Sequence, residues 1–349
     1  MRLFRSKKNS ESASATATAT RPDLSPEAER LEAAGEYLAA AELLQEENRR
    51  QRSPERERHM VRLRHRAGID LTSGKREVPP QPEPGDLSKL SFVDEVPEIE
   101  MSEATPELAR AAILAHGCLI IRNALPTDKA IEIAAEIERS FQAREVEDND
   151  AYHELFEPDP PFNILERGWV SDAGGVWAAD SPRVMFDMVE AYERAGLQSL
   201  VQGYLGERPA FSVNKCTLRK VTPEAGTAWH QDGAFLGDVR ALNVWLALSR
   251  CGDVAPGMDI VPKRMGGILP TGTDDALFEW SISDKVAGEG AGEAPVVRPI
   301  FEPGDVILFD DLFLHRTAAE KTMPNDRYAI ETWFFGPSTF PEGYVPLAF

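Results

Sequence analysis

Cysteine is nearly missing from this chain. Cys118, Cys216 and Cys251 are the only three, an odd number without paired spacing, which suggests neither a disulfide framework nor a thiolate zinc site and fits a reducing compartment. An excess of positive charge is missing too. The formal net charge of -20 is the wrong sign for a partner bound by Lys and Arg neutralising phosphate, so neither nucleic acid nor a membrane surface is expected. No apolar run approaches a membrane span, and the opening MRLFRSKKNSESASATATATR lacks the apolar stretch of a signal peptide, so a cytoplasmic location is expected. That opening is Ser- and Arg-rich and acid-poor, as transit peptides are, but its Ser/Ala/Thr run reads more simply as a disordered tail over residues 1–24. Histidine is scarce as well. The six present are His59, His65, His116, His153, His230 and His315, which narrows the choice of any imidazole site.

What the chain does have is length for a full core and an appendage: 349 residues. Ser25-Pro26-Glu27 and Ser53-Pro54-Glu55 are helix starts, with a serine cap, a proline at the first helical position and an acid facing the dipole. Leu31, Ala34, Leu38, Ala41 and Leu44 recur at helical spacing after the first; Met60, Leu63 and Ala67 do so after the second, before a stop at Gly68. A helical hairpin over 25–72 follows. The stretch AAGEYLAAAELLQEE looks like half a tetratricopeptide unit, but no second copy appears, so a hairpin packed on its own chain or on a dimer mate is the simpler reading. Protein contact or self-association through 25–72 stays open. The arginines from Arg49 to Arg66 are interleaved with glutamates, the pattern of a solvated, salt-bridged face. Residues 73–103, with Pro79, Pro80, Pro82 and Pro84, read as a linker.

From Thr105 the texture changes. Helices are expected over 104–116, over 126–142 with Ile131, Ala134, Ile137 and Phe141 inward, and over 181–204. Cys118 to Arg122 reads as a short buried strand, and strands follow over 211–219, 241–248, 258–261, 296–301, 305–309 and 328–335. Helices first and short strands later give an α+β fold in which residues 104–349 form a jelly-roll-like sandwich with flanking helices.

His230-Gln231-Asp232 places an imidazole and a carboxylate two residues apart, so in an extended segment both leave one face and can grip one ion. A His-x-Asp arises often by chance, and its context must carry the rest. That context is His315, just past an apolar strand that follows the Pro303-Gly304 turn. Two neutral imidazoles and one carboxylate occupy one face of an octahedral iron(II) and leave three positions open. Arg327 opens the next strand, where a guanidinium can pair bidentately with the far carboxylate of a 2-oxoacid chelating the metal at its other end; Thr317 would serve the same molecule. Asp310 and Asp311 are candidates to orient His315, and Arg219, Arg240 and Arg264 to meet an anion near the cleft, although unpaired surface arginines are common.

The run Trp229-His-Gln-Asp-Gly233, the strand Asn243-Val-Trp-Leu-Ala-Leu248, the segment Pro256-Gly-Met-Asp-Ile-Val-Pro262, and Gly304-Asp-Val-Ile-Leu-Phe309 leading to His315 together resemble the phytanoyl-CoA dioxygenase-like family. The resemblance spans about residues 105–335. It implies a double-stranded β-helix (cupin-like jelly roll), iron(II) held by His230, Asp232 and His315, and the cosubstrates 2-oxoglutarate and dioxygen. Arg327, Thr317 and Trp245 would hold 2-oxoglutarate, with Phe211 and Lys215 approaching it from the strand before the His-x-Asp. Val261-Pro-Lys-Arg264 departs from the Val-Pro-Gly-Ser-His common in relatives, which bears on substrate choice. Halogenating relatives lack the carboxylate that Asp232 retains, so the resemblance implies hydroxylation of a small-molecule C–H bond, with release of succinate and CO2.

Two other readings use the same residues. One is a catalytically silent metal-binding sandwich that acts through its hairpin; a buried Arg327 opposite the metal would then have no purpose. The other is metal-assisted hydrolysis at the same triad, which also needs no Arg327. The acidic insertion over 271–295 is either a lid or a mobile loop.

Overall fold

Three helices open the part of the chain that the structure, a computed structural model, describes: residues 24–146, 151–159, 161, 165–226 and 228–349. The tail expected over 1–24 lies outside these residues apart from Leu24. α1 (Pro26–Ala33), α2 (Tyr37–Arg50) and α3 (Pro54–Thr72) replace the expected pair, because Gly35, at φ 79°, breaks the apolar series between Leu31 and Leu38. Ser25 and Ser53 cap α1 and α3 as read, accepting the amides of Ala28 and Arg56 ahead of a first-turn proline. Gly68 does not stop α3. It lies inside the helix, where a Cβ would come within 2.7 Å of the Pro346 backbone, so its role is close packing.

The segment read as a proline-rich linker contains β1 (Ser91–Val93) and β2 (Val96–Glu100), and β2 pairs parallel with β3 (Cys118–Arg122). Between them α4 (Pro106–His116) starts at a Thr105 cap. α5 (Thr127–Glu145) turns Ala130, Ile133, Ile137 and Phe141 inward; Ile131, expected inside, is 54% exposed because the buried face runs one residue earlier. α6 (Leu165–Asp172) and β4 (Gly175–Trp177) follow. The single helix expected over 181–204 is two, α7 (Pro182–Arg194) and α8 (Leu197–Leu205), parted at Gly196.

The remaining elements are β5 (Ala210–Val221), α9 (Gly233–Leu236), β6 (Ala241–Ala247), β7 (Gly257–Arg264), α10 (Asp284–Ala291), β8 (Val306–Phe309), β9 (Phe313–Ala318), β10 (Arg327–Phe335) and β11 (Pro346–Ala348). Among the described residues they build two facing sheets. The larger runs β1-β2-β3-β8-β6-β10-β5-β11, with β4 on β5; the smaller pairs β7 with β9. Antiparallel bridges His230↔His315 and Ile260↔Val297 extend the smaller sheet on both sides, so the strand expected over 296–301 survives only as bridges. This is the expected α+β jelly roll.

Alternation along the strands sorts the core into two layers. Ile330 and Phe334 of β10 face the helices with Leu218, Val244 and Leu308, whereas Ala329 and Trp333 face the smaller sheet with Trp245, Ile307 and Phe309. The second layer is the space between the sheets. Arg327 and Glu331 share its side of β10 by register.

The N-terminal helices lie on this body. Arg49 and Arg52 reach Glu190 and Asp187 of α7, Glu57 is fully buried between Arg52 and Arg183, and Arg64 donates to the Ala348 carbonyl at 3.0 Å. Arg49, Arg52 and Arg64 therefore form a seam with the body, while Arg62 and Arg66 remain on an exposed, salt-bridged face as expected. Stripping a buried carboxylate such as Glu57 of its partners costs about 3–5 kcal/mol, which ties the helices to α7. A groove of about 510 Å³ along this seam is lined by these same paired groups. Among the described residues no helix is long and apolar enough to cross a membrane.

Candidate metal centre

The bridge between His230 and His315 creates the site. Each backbone amide donates to the other's carbonyl, at 3.0 and 3.2 Å, which sets the two imidazoles side by side with ring centres 4.3 Å apart. His315 does not stand past a strand's end, as read from the sequence; it lies within β9, the strand that reading missed because Asp310 to Leu312 separates it from β8 by only a short turn. Asp232 is not extended either. At φ -63° and ψ -25° it caps α9, so the chain turns after Gln231 and brings the carboxylate back to the imidazoles. One ligand atom from each of His230, Asp232 and His315 then lies within 4.8 Å of the others.

Backbone carbonyls fix both rings. His230 Nδ1 donates to Ala228 O at 3.0 Å and His315 Nδ1 to Phe313 O at 3.2 Å, which leaves both Nε2 atoms as lone-pair donors toward the centre. Asp310 and Asp311 do not orient His315. Asp310 accepts from Arg264 at 2.5 Å and from the Leu312 amide, and the Asp311 carbonyl accepts from Gly233.

Electrostatics suit a cation. Burial, with His230 alongside, pushes the His315 imidazole down to about 3, so it is neutral and free to ligate at neutral pH. Burial opposes ionisation of Asp232, but the Lys215 ammonium beside it outweighs this and holds the carboxyl below its ordinary value. Lys215 Nζ lies 3.5 Å from Asp232 Oδ1 and over the Phe235 ring, at the metal end of the site.

A small cavity of about 50 Å³ runs from the triad between the sheets, lined by His230, His315, Thr317, Trp245, Phe309, Gly257, Met258, Arg219, Arg327 and Glu331. Arg327 ends it. The residue is 2% exposed, Nη1 donates to Gly257 O at 3.1 Å, the guanidinium stacks 5.3 Å from the Trp245 ring centre, and Nε has no partner among the described residues. Burial pushes Arg327 down to about 10, so it remains charged. A buried guanidinium with an orphaned donor, at the end of a cavity that starts at two of the three side chains able to hold a metal, fits a chelating 2-oxoacid with a second carboxylate.

Phe211 falls away from this group. It is fully buried against Phe334 and Phe349 on the helical side of the sheet. Register explains why. Between the pairs Thr332↔Cys216 and Phe334↔Phe211, β10 advances two residues and β5 five, an odd excess that reverses the alternation and sends Phe211 and Lys215 to opposite faces. A bulge of this kind leaves no mark in composition.

Further residues, without a motif of their own in the sequence, frame the site. Buried Gln231 donates to Gly267 O and Leu312 O and accepts from the Leu269 amide, pinning two loops around the triad. Gly233 leaves no room for a Cβ beside Asp311. The insertion over 271–295 contains α10, and Ile282 bridges Trp229. It places Trp280 edge-on to His230 at 6.0 Å, with Phe278 stacked on Trp280 at 5.0 Å. Two aromatic residues in an otherwise acidic loop were the available signal.

A jelly roll with two histidines and one carboxylate between its sheets has the ligand set of non-haem iron(II) oxygenases. The chain belongs to the phytanoyl-CoA dioxygenase family, whose sequence model matches residues 114–327. It is accordingly an iron(II)- and 2-oxoglutarate-dependent dioxygenase. Among crystal structures, EctD from S. alaskensis with 2-oxoglutarate and 5-hydroxyectoine is similar in fold, at 16% identity and TM-score 0.50, covering 76% of this chain and 85% of that one. The non-haem alpha-ketoglutarate-dependent carbocyclase SnoK from nogalamycin biosynthesis matches at 14% identity and TM-score 0.47, covering 68% and 86%. A comparison with curated proteins found no match.

Proposed function

We propose that residues 104–349 hydroxylate an unactivated C–H bond of a small-molecule substrate, with His230, Asp232 and His315 holding iron(II) and Arg327, Thr317 and Trp245 receiving 2-oxoglutarate. The observation that carries this reading is the cavity itself, which runs from His230 and His315 of the triad to a buried, partly unpaired guanidinium. When bound, iron(II) and 2-oxoglutarate reduce dioxygen and supply the oxidant for inserting one oxygen atom, with succinate and CO2 released.

The chain's own residues set the conditions. His230 and His315 present Nε2 because their Nδ1 protons are committed to carbonyls, and Lys215 keeps Asp232 ionised. Arg327 and Trp245 fix one end of the cosubstrate so that its chelating end meets the triad. Phe309 and Met258 give the cavity an apolar side, and Trp280, Phe278 and Phe235 offer the substrate an aromatic approach beside His230.

The test is incubation of iron-loaded protein with 2-oxoglutarate, ¹⁸O₂ and a fractionated metabolite extract. A product bearing one ¹⁸O atom, formed with succinate, supports hydroxylation. Succinate with a product that has lost hydrogen or closed a ring without gaining oxygen replaces hydroxylation by another oxidation at the same site.

A further inference from the structure

Of the three arginines considered near the cleft, only Arg219 lines the cavity. Arg240 donates to Leu205 O and Arg264 pairs with Asp310. Arg219 sits opposite Ala329 on the neighbouring strand, and thus one step of alternation from Arg327 on the same face of the sheet. The alanine leaves room above the strand for both guanidiniums. Arg219 Nε is buried without a hydrogen-bond partner, and no ion pair is formed by either arginine among the described residues.

Charge and donor geometry at this end are both incomplete. Arg327 commits an Nη1 N–H to Gly257 O and keeps its Nε/Nη2 side for a carboxylate, whose remaining lone pairs are left for a second donor. Glu331, which also lines the cavity, would repel an incoming anion if Arg327 were its only counterweight. With Arg219 counted, the end holds two cations and one anion, an excess of a single positive charge, while the ammonium of Lys215 is engaged at Asp232. One carboxylate neutralises that excess.

We propose that Arg219 is a second guanidinium for the far carboxylate of 2-oxoglutarate, acting beside Arg327, with Glu331 as the negative group that limits the strength of the pair. The inference rests on the proposed use of this cavity for 2-oxoglutarate and adds a residue from β5 to it. It also accounts for a charged side chain held half-buried with an orphaned donor, an arrangement that is costly unless a ligand completes it.

The test is calorimetric titration, without oxygen, of iron(II)-loaded wild type, Arg219→Gln, Arg219→Lys and Glu331→Gln with 2-oxoglutarate and with pyruvate. Pyruvate has the same chelating end and no far carboxylate. Losing a hydrogen bond to a charged group weakens binding about tenfold or more, so Arg219→Gln is expected to lose that much affinity for 2-oxoglutarate and none for pyruvate. Arg219→Lys recovers part of the loss, and Glu331→Gln binds 2-oxoglutarate more tightly than wild type. Wild-type affinity for 2-oxoglutarate in Arg219→Gln overturns the inference and leaves the proposed function standing, as does an equal loss for both ligands, which marks a merely structural residue. A wild-type protein that binds neither ligand removes the cosubstrate site and the inference together.

Discussion

His230 and His315 exchange both of their backbone hydrogen bonds across the smaller sheet, and this pairing, rather than either local motif, sets their imidazoles 4.3 Å apart. Residues 85 positions apart in sequence become neighbours through one two-residue bridge. Each ring's remaining N–H is held by a carbonyl two residues earlier, so the strand geometry that positions the rings also selects their tautomers.

Iron content should report this directly. Losing even an outer hydrogen-bond partner of a ligand costs about 10–100-fold in metal affinity, and losing a ligand costs more. His230→Ala and His315→Ala are each expected to copurify with far less than one iron per chain, measured by elemental analysis, while wild type loads stoichiometrically. Full iron occupancy in either variant would place the metal elsewhere.

Stability of the metal-free protein should fall with acid in a way that His315 dominates locally. Its folded imidazole titrates near 3 against about 6.5 when unfolded, so between these values the unfolded chain binds the extra proton. The stabilising contribution is complete above the unfolded value and is lost as pH falls toward the folded one. Chemical denaturation of wild type and His315→Asn from pH 6 to pH 4 is expected to differ in slope by up to about 1.4 kcal/mol per pH unit, the variant being flatter. Parallel profiles would mean that His315 is protonated in the folded state.

The close packing of α3 on the C-terminal strand is testable at one residue. Gly68→Ala puts a methyl group 2.7 Å from Pro346 backbone atoms, which no rotamer relieves, and overpacking of this kind costs about 1–3 kcal/mol. A fall in melting temperature is expected with unchanged affinity for 2-oxoglutarate. A variant as stable as wild type would show that α3 and β11 are more loosely joined.

Phe211 separates the two faces of β5. Because the bulge turns it into the cluster with Phe334 and Phe349, Phe211→Leu should lower stability by about 1–2 kcal/mol and leave the KM for 2-oxoglutarate unchanged. A raised KM at wild-type stability would return Phe211 to the cosubstrate.

These residues also show what the sequence could and could not reveal. His230, Asp232, His315 and Arg327 were legible because each lies in or beside a stretch with its own local signature, and the block of short strands after the helices gave the jelly roll. The conformation of Asp232, the strand around His315 and the turn of Phe211 away from the cavity were not, because each depends on a bulge, a tight turn or a two-residue bridge whose energy is tertiary. Gly35 and Gly68 illustrate the same limit: one glycine breaks a helix through its own φ, the other sits inside a helix for a neighbour's sake. β2 lay hidden in a proline-rich stretch because Pro97 is tolerated in a strand pairing near the sheet's edge.

The most direct measurement is succinate formation from 2-oxoglutarate by iron-loaded protein under oxygen, wild type against His230→Ala and Arg327→Ala, with and without a metabolite extract. Succinate is expected to require oxygen and His230, to rise with the extract, and to be lost in Arg327→Ala even though that variant still binds iron. Succinate from wild type no higher than from His230→Ala, in protein shown to hold iron, would contradict this.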